Sequence, residues 1–158
     1  MCIMNDSIRI ATISDGELLL NWRNHPDVRQ FSKSSGEIYE AGHISWLEIR
    51  LAKTQSEPLF IFVSDGQAAG TARLDKILDN ENCLEVSILI DPEFQGLGKS
   101  KILLDLVCNY VIENLGPYKI IAHVHHENTK SISLFQSAGF TYSSRACNFL
   151  KFQKTLIN

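Results

Sequence analysis

No apolar run in this sequence approaches the roughly 20 residues that a helix needs to cross a bilayer, so no membrane-spanning helix is expected. The first residues, Met1-Cys2-Ile3-Met4-Asn5-Asp6, lack a basic region followed by an apolar core, so no secretory signal is read there and a cytoplasmic protein is expected. There is no Cys-x-x-Cys pair. Cys2, Cys83, Cys108 and Cys147 are scattered, are expected to be reduced, and none is singled out as a nucleophile. Nor is there an excess of positive charge: 15 Lys and Arg face 18 Asp and Glu, a net charge of -3, which gives no reason to expect nucleic acid as a partner. Repeats, low-complexity tracts and linkers are missing too. What remains is 158 residues, 44% hydrophobic and 21% charged, the make-up of one globular domain spanning 1–158.

Alternation and helical spacing give the elements. Ser7 to Ile13 alternates as a strand. Ser14 or Asp15 caps the next helix, with Glu17 completing a capping box from Ser14, and Leu18, Leu19 and Trp22 forming its apolar face. His25-Pro26 ends it, and Asp27 to Gly36 reads as loop. A second helix spans Glu40 to Lys53, with Ile44, Leu47 and Leu51 on one face. Pro58 to Ser64 and Ala68 to Leu74 form a hairpin about Asp65-Gly66. Cys83 to Ile90 is a strand after the polar turn at Asp79–Asn82. A long helix from about Gly98 to Asn114 stops at Gly116-Pro117. Tyr118 to His126 is a strand, Asn128 to Ser137 a helix, and Thr141 to Arg145 and Asn148 to Lys154 close the chain as strands. The order β-α-α-β-β-β-α-β-α-β-β argues a mixed α/β (α+β) sheet with helices on its faces.

The most telling stretch is Gln95-Gly96-Leu97-Gly98-Lys99-Ser100, between the apolar strand Leu84 to Ile90 and the long helix. Glycines there let the backbone turn tightly, and the unpaired N–H groups of a helix start face an anion. A phosphorylated ligand is therefore expected. Gly98-Lys99-Ser100 imitates the end of a nucleoside-triphosphate loop, but the upstream glycine is missing at the required place. His123, His125 and His126 cluster without a cysteine or carboxylate at ligand spacing, so no metal is expected.

Three features resemble the GNAT superfamily of acyl-CoA-dependent N-acetyltransferases: the run Asp91 to Ser100, similar to that family's acetyl-CoA loop; the strand before it; and Asn128 to Phe140, similar to its Asn-xx-Ser-xx-Leu-aromatic-xxx-Gly-Phe stretch. The resemblance implies a mostly antiparallel sheet of about six or seven strands with a splayed central pair, and acetyl-CoA as co-substrate. Gln95, Gly96, Leu97, Gly98, Lys99 and Ser100 would take its pyrophosphate, with Lys99 adding charge. Ile88, Leu89 and Ile90, on a bulged strand, would pair with pantetheine. Asn128 and Ser131 would contact the cofactor and Phe135 would pack near its thiol. Two departures stand out. Ser100 replaces the usual Gly or Ala, and Phe135 stands where many relatives have the tyrosine that protonates the leaving thiolate; Tyr142 or water is then the candidate donor, and a thiol of pKa near 8.5 is a tolerable leaving group without one.

Transfer to an amine needs a group that makes the amine neutral. Glu85 and Ser87 share one strand face, and His123, His125 and Glu127 another. Glu85 is expected to be the base through water, with Glu127 or His125 next. The partner faces, Val86, Ile88 and Ile90 with Ala122 and Val124, read as core. For the acceptor, Trp22-Arg23-Asn24 through Arg29, with His43-Ile44-Ser45-Trp46, resembles a GNAT subgroup that includes ribosomal-protein N-terminal acetyltransferases and the UDP-amino-dideoxy-sugar N-acetyltransferases of the pseudaminic acid pathway, and is closest to the latter. The implied acceptor is a small-molecule amine, that of a UDP-4-amino-4,6-dideoxy sugar, with Arg23, Arg29 and Lys33 meeting its diphosphate and Phe31, His43 and Trp46 lining its site. Alternatively Trp22 and Trp46 are helix core. Two further readings stay open: protein N-terminal acetylation, and a non-catalytic acyl-CoA-binding module. Monomer and homodimer are both compatible with the chain.

Overall fold

Seven extended segments build one sheet in the computed structural model, which describes residues 5–116 and 118–157. In chain order the strands are β1 (Asp6–Ile10), β2 (Leu59–Ser64), β3 (Gln67–Ile77), β4 (Asn80–Ile90), β5 (Tyr118–His125), β6 (Thr141–Ala146) and β7 (Phe149–Leu156). The helices are α1 (Gly16–Asn24), α2 (Pro26–Arg29), α3 (Glu40–Leu51), α4 (Lys99–Asn114) and α5 (Thr129–Ser137). Spatial order is β1-β2-β3-β4-β5-β7-β6. Every neighbouring pair is antiparallel except β4 and β5, which are parallel and joined through α4, the crossover a parallel pair requires. The expected mixed sheet with a parted central pair is what forms. The expectations for Met1 to Met4, Cys2 included, and for Pro117 lie outside the described residues. Among those residues no helix is long and apolar enough to cross a membrane.

Strand register sorts side chains onto two faces. One carries Phe60, Phe62, Ala72, Leu74, Leu84, Val86, Ile120, Ala122, Val124 and Phe152, packed with Leu103, Leu104, Val107 and Val111 of α4 and with Phe135 of α5. The other face, under α1 and α3, begins as a smaller core of Leu19, Trp22, Leu47, Leu59 and Ile61. Farther along it turns polar: Arg73, Asp75, Glu85, Ser87, His123 and His125 follow one another across β3, β4 and β5.

Several local expectations change. Asp15, not Ser14 with Glu17, anchors the start of α1: its carboxylate accepts the Thr12 N–H at 2.8 Å and a two-pronged contact from Arg9 at 2.8 and 2.9 Å. Arg9 and two Thr12 donors outweigh burial and hold Asp15 below the usual carboxylate range. Proline at the first position starts α2 inside the expected loop, because its fixed φ suits a helix start. The inward face of α3 is His43, Leu47 and Arg50, whereas Ile44 stays exposed. Polar anchors rotate that helix: His43 Nε2 donates to the Gly16 carbonyl at 2.8 Å, and Arg50 bonds Asp75 and the Leu74 carbonyl. β4 carries its irregularity against β3 between Asn80 and Leu84, not at Ile88 to Ile90 where the bulge is expected. Its register with β3 runs unbroken from Gly70 opposite Ile90 to Lys76 opposite Leu84. Gly70 allows this, since a Cβ on it would stand 2.4 Å from the Leu89 carbonyl oxygen.

Candidate active site

β4 and β5 pair only over Cys83 to Glu85 against Lys119 to Ile121, then part. Beyond that point the β5-facing edge of β4 is open, and a cavity of about 1000 Å³ occupies the gap and spreads beneath α1 and the α2–α3 loop.

At one end lies the glycine turn. Gly96 and Gly98 have φ of 77° and 71°, the left-handed region that favours glycine, and a Cβ at either would meet nothing within 4 Å. Gly98 caps α4 without a side-chain bond. Within the described residues no carbonyl or side chain takes the N–H groups of Gly96, Leu97 or Gly98. An uncapped start of a 16-residue helix beside open loop amides suits a diphosphate. The residues present therefore fit the diphosphate of coenzyme A. Gln95, Gly96, Gly98, Lys99 and Ser100 line the cavity; Leu97 points to solvent, 60% exposed. The Lys99 ammonium is a correction. It is buried and pairs with Asp6 at 3.0 Å, so its charge is met by β1 rather than by the turn. A feature the sequence conceals fixes the turn from the other side: Trp22 Nε1 donates to Asp91 Oδ2 at 2.7 Å, while Asp91 Oδ1 accepts the Glu93 N–H.

Along the parting strands, Ile88, Leu89 and Ile90 line the cavity, as do Asn128, Ser131 and Phe135 across it. Asn128 Oδ1 caps α5 by accepting the Ser131 N–H at 3.2 Å. Phe135 is buried edge-to-face against Phe140, with ring centroids 5.1 Å apart. Tyr142 is not its replacement. It sits on β6, the edge strand, 57% exposed and away from the cavity lining.

Where the strands separate, Glu85 Oε1 accepts from His123 Nδ1 at 2.9 Å and from Lys33 Nζ at 3.0 Å. Burial pushes the Glu85 carboxyl up, but the His123 and Lys33 bonds and charges prevail and leave it below its ordinary range. An ionised Glu85 can only accept, so His123 Nδ1 is the donor in this bond, and in the neutral ring Nε2 is then the acceptor. Sequence alternation places His123 only on a face with His125 and Glu127; the pairing with Glu85 is diagonal, since Glu85 stands opposite Ile121 and His123 is two residues farther along β5. Ser87 lies beside this pair, opposite Arg73. His125 packs against Phe31 and Phe149 and its Nδ1 accepts the Glu127 N–H at 3.2 Å. The Glu127 carboxylate is at the rim, 70% exposed. His125, His126 and Glu127 bring ligand atoms within 4.8 Å of one another, but they are successive residues with one nitrogen already engaged.

Over the other half of the cavity stand Arg23, Phe31, Lys33 and Trp46. Arg29 and His43 are not part of it: the Arg29 guanidinium donates to the Ser35 carbonyl at 3.0 Å, and His43 is spent on α1. Trp22 is core, as the alternative reading has it, while Trp46 is partly exposed and stacks on His43 at 5.5 Å.

Comparison with known proteins accords with this geometry. Residues 7–141 match the model of the acetyltransferase (GNAT) domain. The chain is 31% identical over 125 residues to acetyltransferase PseH of Campylobacter jejuni strain 81-176, covering 79% of this chain and 76% of that one. It is 34% identical over 106 residues to spermidine N(1)-acetyltransferase of Escherichia coli K12, covering 66% of this chain and 57% of that one. The solved spermidine N-acetyltransferase of Vibrio cholerae in complex with CoA and spermine superposes with a TM-score of 0.83 at 20% identity, covering 96% and 95% of the two chains. With a family match over most of its length and the donor cleft in place, the chain belongs to the GNAT acetyltransferases, enzymes that move an acetyl group from acetyl-CoA to an amine.

Proposed function

We propose that the acceptor is the amine of a UDP-4-amino-4,6-dideoxy sugar, and that Glu85 and His123 carry its proton. The observation that supports the chemistry is the Glu85–His123 pair at the point where β4 and β5 part, inside the cavity that the glycine turn also lines. The acceptor reading is supported by the similarity to PseH and by a half-cavity with aromatic walls, Phe31 and Trp46, beside Arg23 and Lys33.

Acetyl-CoA, when bound, supplies an activated acetyl thioester. The amides of Gly96 to Ser100 and the positive end of α4 hold its diphosphate. The open edge of Ile88 to Ile90 pairs with the pantetheine amides as a further strand would. Phe135 excludes water near the sulfur and brings no proton of its own. His123 Nε2 accepts a proton from the incoming ammonium, directly or through one water, and Glu85 keeps the ring oriented and offsets the charge it gains. Lys33 and Ser87 border that proton path. Holding both reactants in one cavity adds proximity.

Purified protein given acetyl-CoA with the UDP-amino sugar, spermidine, or a peptide bearing a ribosomal-protein N-terminus decides the acceptor. We expect kcat/KM for the sugar nucleotide to exceed the others at least tenfold. A larger value for spermidine or for the peptide overturns this reading.

A further inference from the structure

We propose that Arg23 and Arg73 form an anion subsite that takes the phosphate groups of the acceptor, at a distance from the donor's own diphosphate turn. The proposal rests on the nucleotide-sugar reading above and deepens it, since it names what in the acceptor is recognised.

Both arginines line the cavity on the polar face of the sheet. Arg73 stands on β3 opposite Ser87, three residues or roughly 10 Å along β4 from Ile90, where the strand ends ahead of the donor turn. Its Nε lies 3.0 Å from Asp75 Oδ2, yet the N–H is not directed at that oxygen, and the buried nitrogen has no hydrogen-bond partner. Asp75 is shared: the Arg50 guanidinium, itself buried, bonds its other oxygen. One carboxylate thus serves two guanidinium groups.

Arg23, in the last turn of α1, has no carboxylate partner among the described residues. Burial, and after it the charge of Arg73, lower its affinity for its proton. The remaining acids of the cavity are committed or remote. Glu85 is held by Lys33 and His123; Asp27 lies near His25 with its side chain 64% exposed; Glu127 is at the rim. Three arginines and one aspartate leave two positive charges uncompensated in a partly desolvated space. Such an arrangement is unfavourable in the empty protein and is relieved by an anion. Paired guanidinium forks match phosphate oxygens, and a nucleoside diphosphate esterified to a sugar carries about two negative charges to meet them. A polyamine brings charge of the same sign to the same place and is disfavoured there.

The test is calorimetry on protein saturated with coenzyme A, so that the donor turn is filled, titrated with inorganic pyrophosphate and separately with UDP. Both are expected to bind, UDP more tightly. R23Q should weaken UDP at least about tenfold, as loss of a charge-assisted hydrogen bond does, with coenzyme A affinity unchanged; R23K should recover part of it. R73Q should act in the same direction, but Arg73 also pairs with Asp75, so R23Q, which breaks no ion pair, is the deciding variant. UDP affinity indifferent to R23Q overturns the subsite, as does the lack of any heat from both probes. The two readings separate cleanly. If the UDP-amino sugar is acetylated with a KM that R23Q leaves unmoved, the subsite falls and the acceptor stands. If no such sugar is acetylated while both probes bind through Arg23, the subsite stands and another phosphorylated amine is the acceptor.

Discussion

The two faces of the sheet are made by the same strands and do opposite things. Toward α4 and α5 the face is apolar from Phe60 to Phe152, with polar groups only toward its margins: the Asp6–Lys99 pair beside Ser64, and Lys154 on the Ala138 carbonyl. Toward α1 and α3 it is apolar around Leu59, Ile61, Val63 and Leu89, then yields to Arg73, Asp75, Glu85, Ser87 and His123. The fold needs the first face closed. The second could have been closed with the same alternation, and was not. Half-buried charge there weakens packing in exchange for chemistry, so stability and activity should reside on different faces.

Substitutions can break that division. The largest effect is expected from H123A: kcat/KM should fall about 10²- to 10⁴-fold, the range for removing a positioned general base, while the thermal midpoint moves little. E85Q should lower the rate as well and displace the acidic limb of the pH–rate profile. A stability loss in H123A with an unchanged rate would dissolve the contrast. On the opposite face, F152A removes a ring that is 1% exposed and should cost about 3–5 kcal/mol of unfolding free energy, with KM values retained in the folded fraction.

The Asp6–Lys99 pair sharpens the comparison, because it is a buried charge pair in a structural role. Its side chains are only 9% and 3% exposed, so D6N should cost about 3 kcal/mol. Burial raises the Asp6 carboxyl, but Ser64 and Lys99 hold it below its ordinary value. A carboxyl lowered by folding adds stability above its unfolded pKa and loses it as pH falls through the folded one. The gap between the natural protein and D6N in denaturant titrations should therefore be full at pH 7 and close as pH drops below the ordinary carboxylate range. Smallest of all, Y142F should leave kcat/KM within about twofold, since the ring is on the edge strand and surface changes away from a site usually do little.

Element order and the apolar face are legible in the sequence because period-two alternation is local, and the glycine turn because Gly96 and Gly98 occupy backbone conformations that few other residues tolerate. The cleft is legible only in outline. Lys33 meets Glu85 across 52 residues, Trp22 meets Asp91 across 69, and Lys99 meets Asp6 across 93. No local pattern encodes such pairs, so sequence alone assigns Lys99 to the ligand and leaves Trp22 without its link to the turn. Arg73 escapes the motifs although a signal exists: Arg73 and Asp75 sit two apart on a strand that register makes central, where charge calls for an explanation.

The hydrogen bond from the Trp22 indole to Asp91 has a mechanical sense. It fastens α1, which covers one half of the cavity, to the bend that leads into the glycine turn. Strain placed on either is shared with its counterpart, and by thermodynamic reciprocity any coupling so created acts equally in both directions. A phenylalanine in place of Trp22 keeps the hydrophobic plug while cutting the tether, and so measures how far the two substrates sense each other.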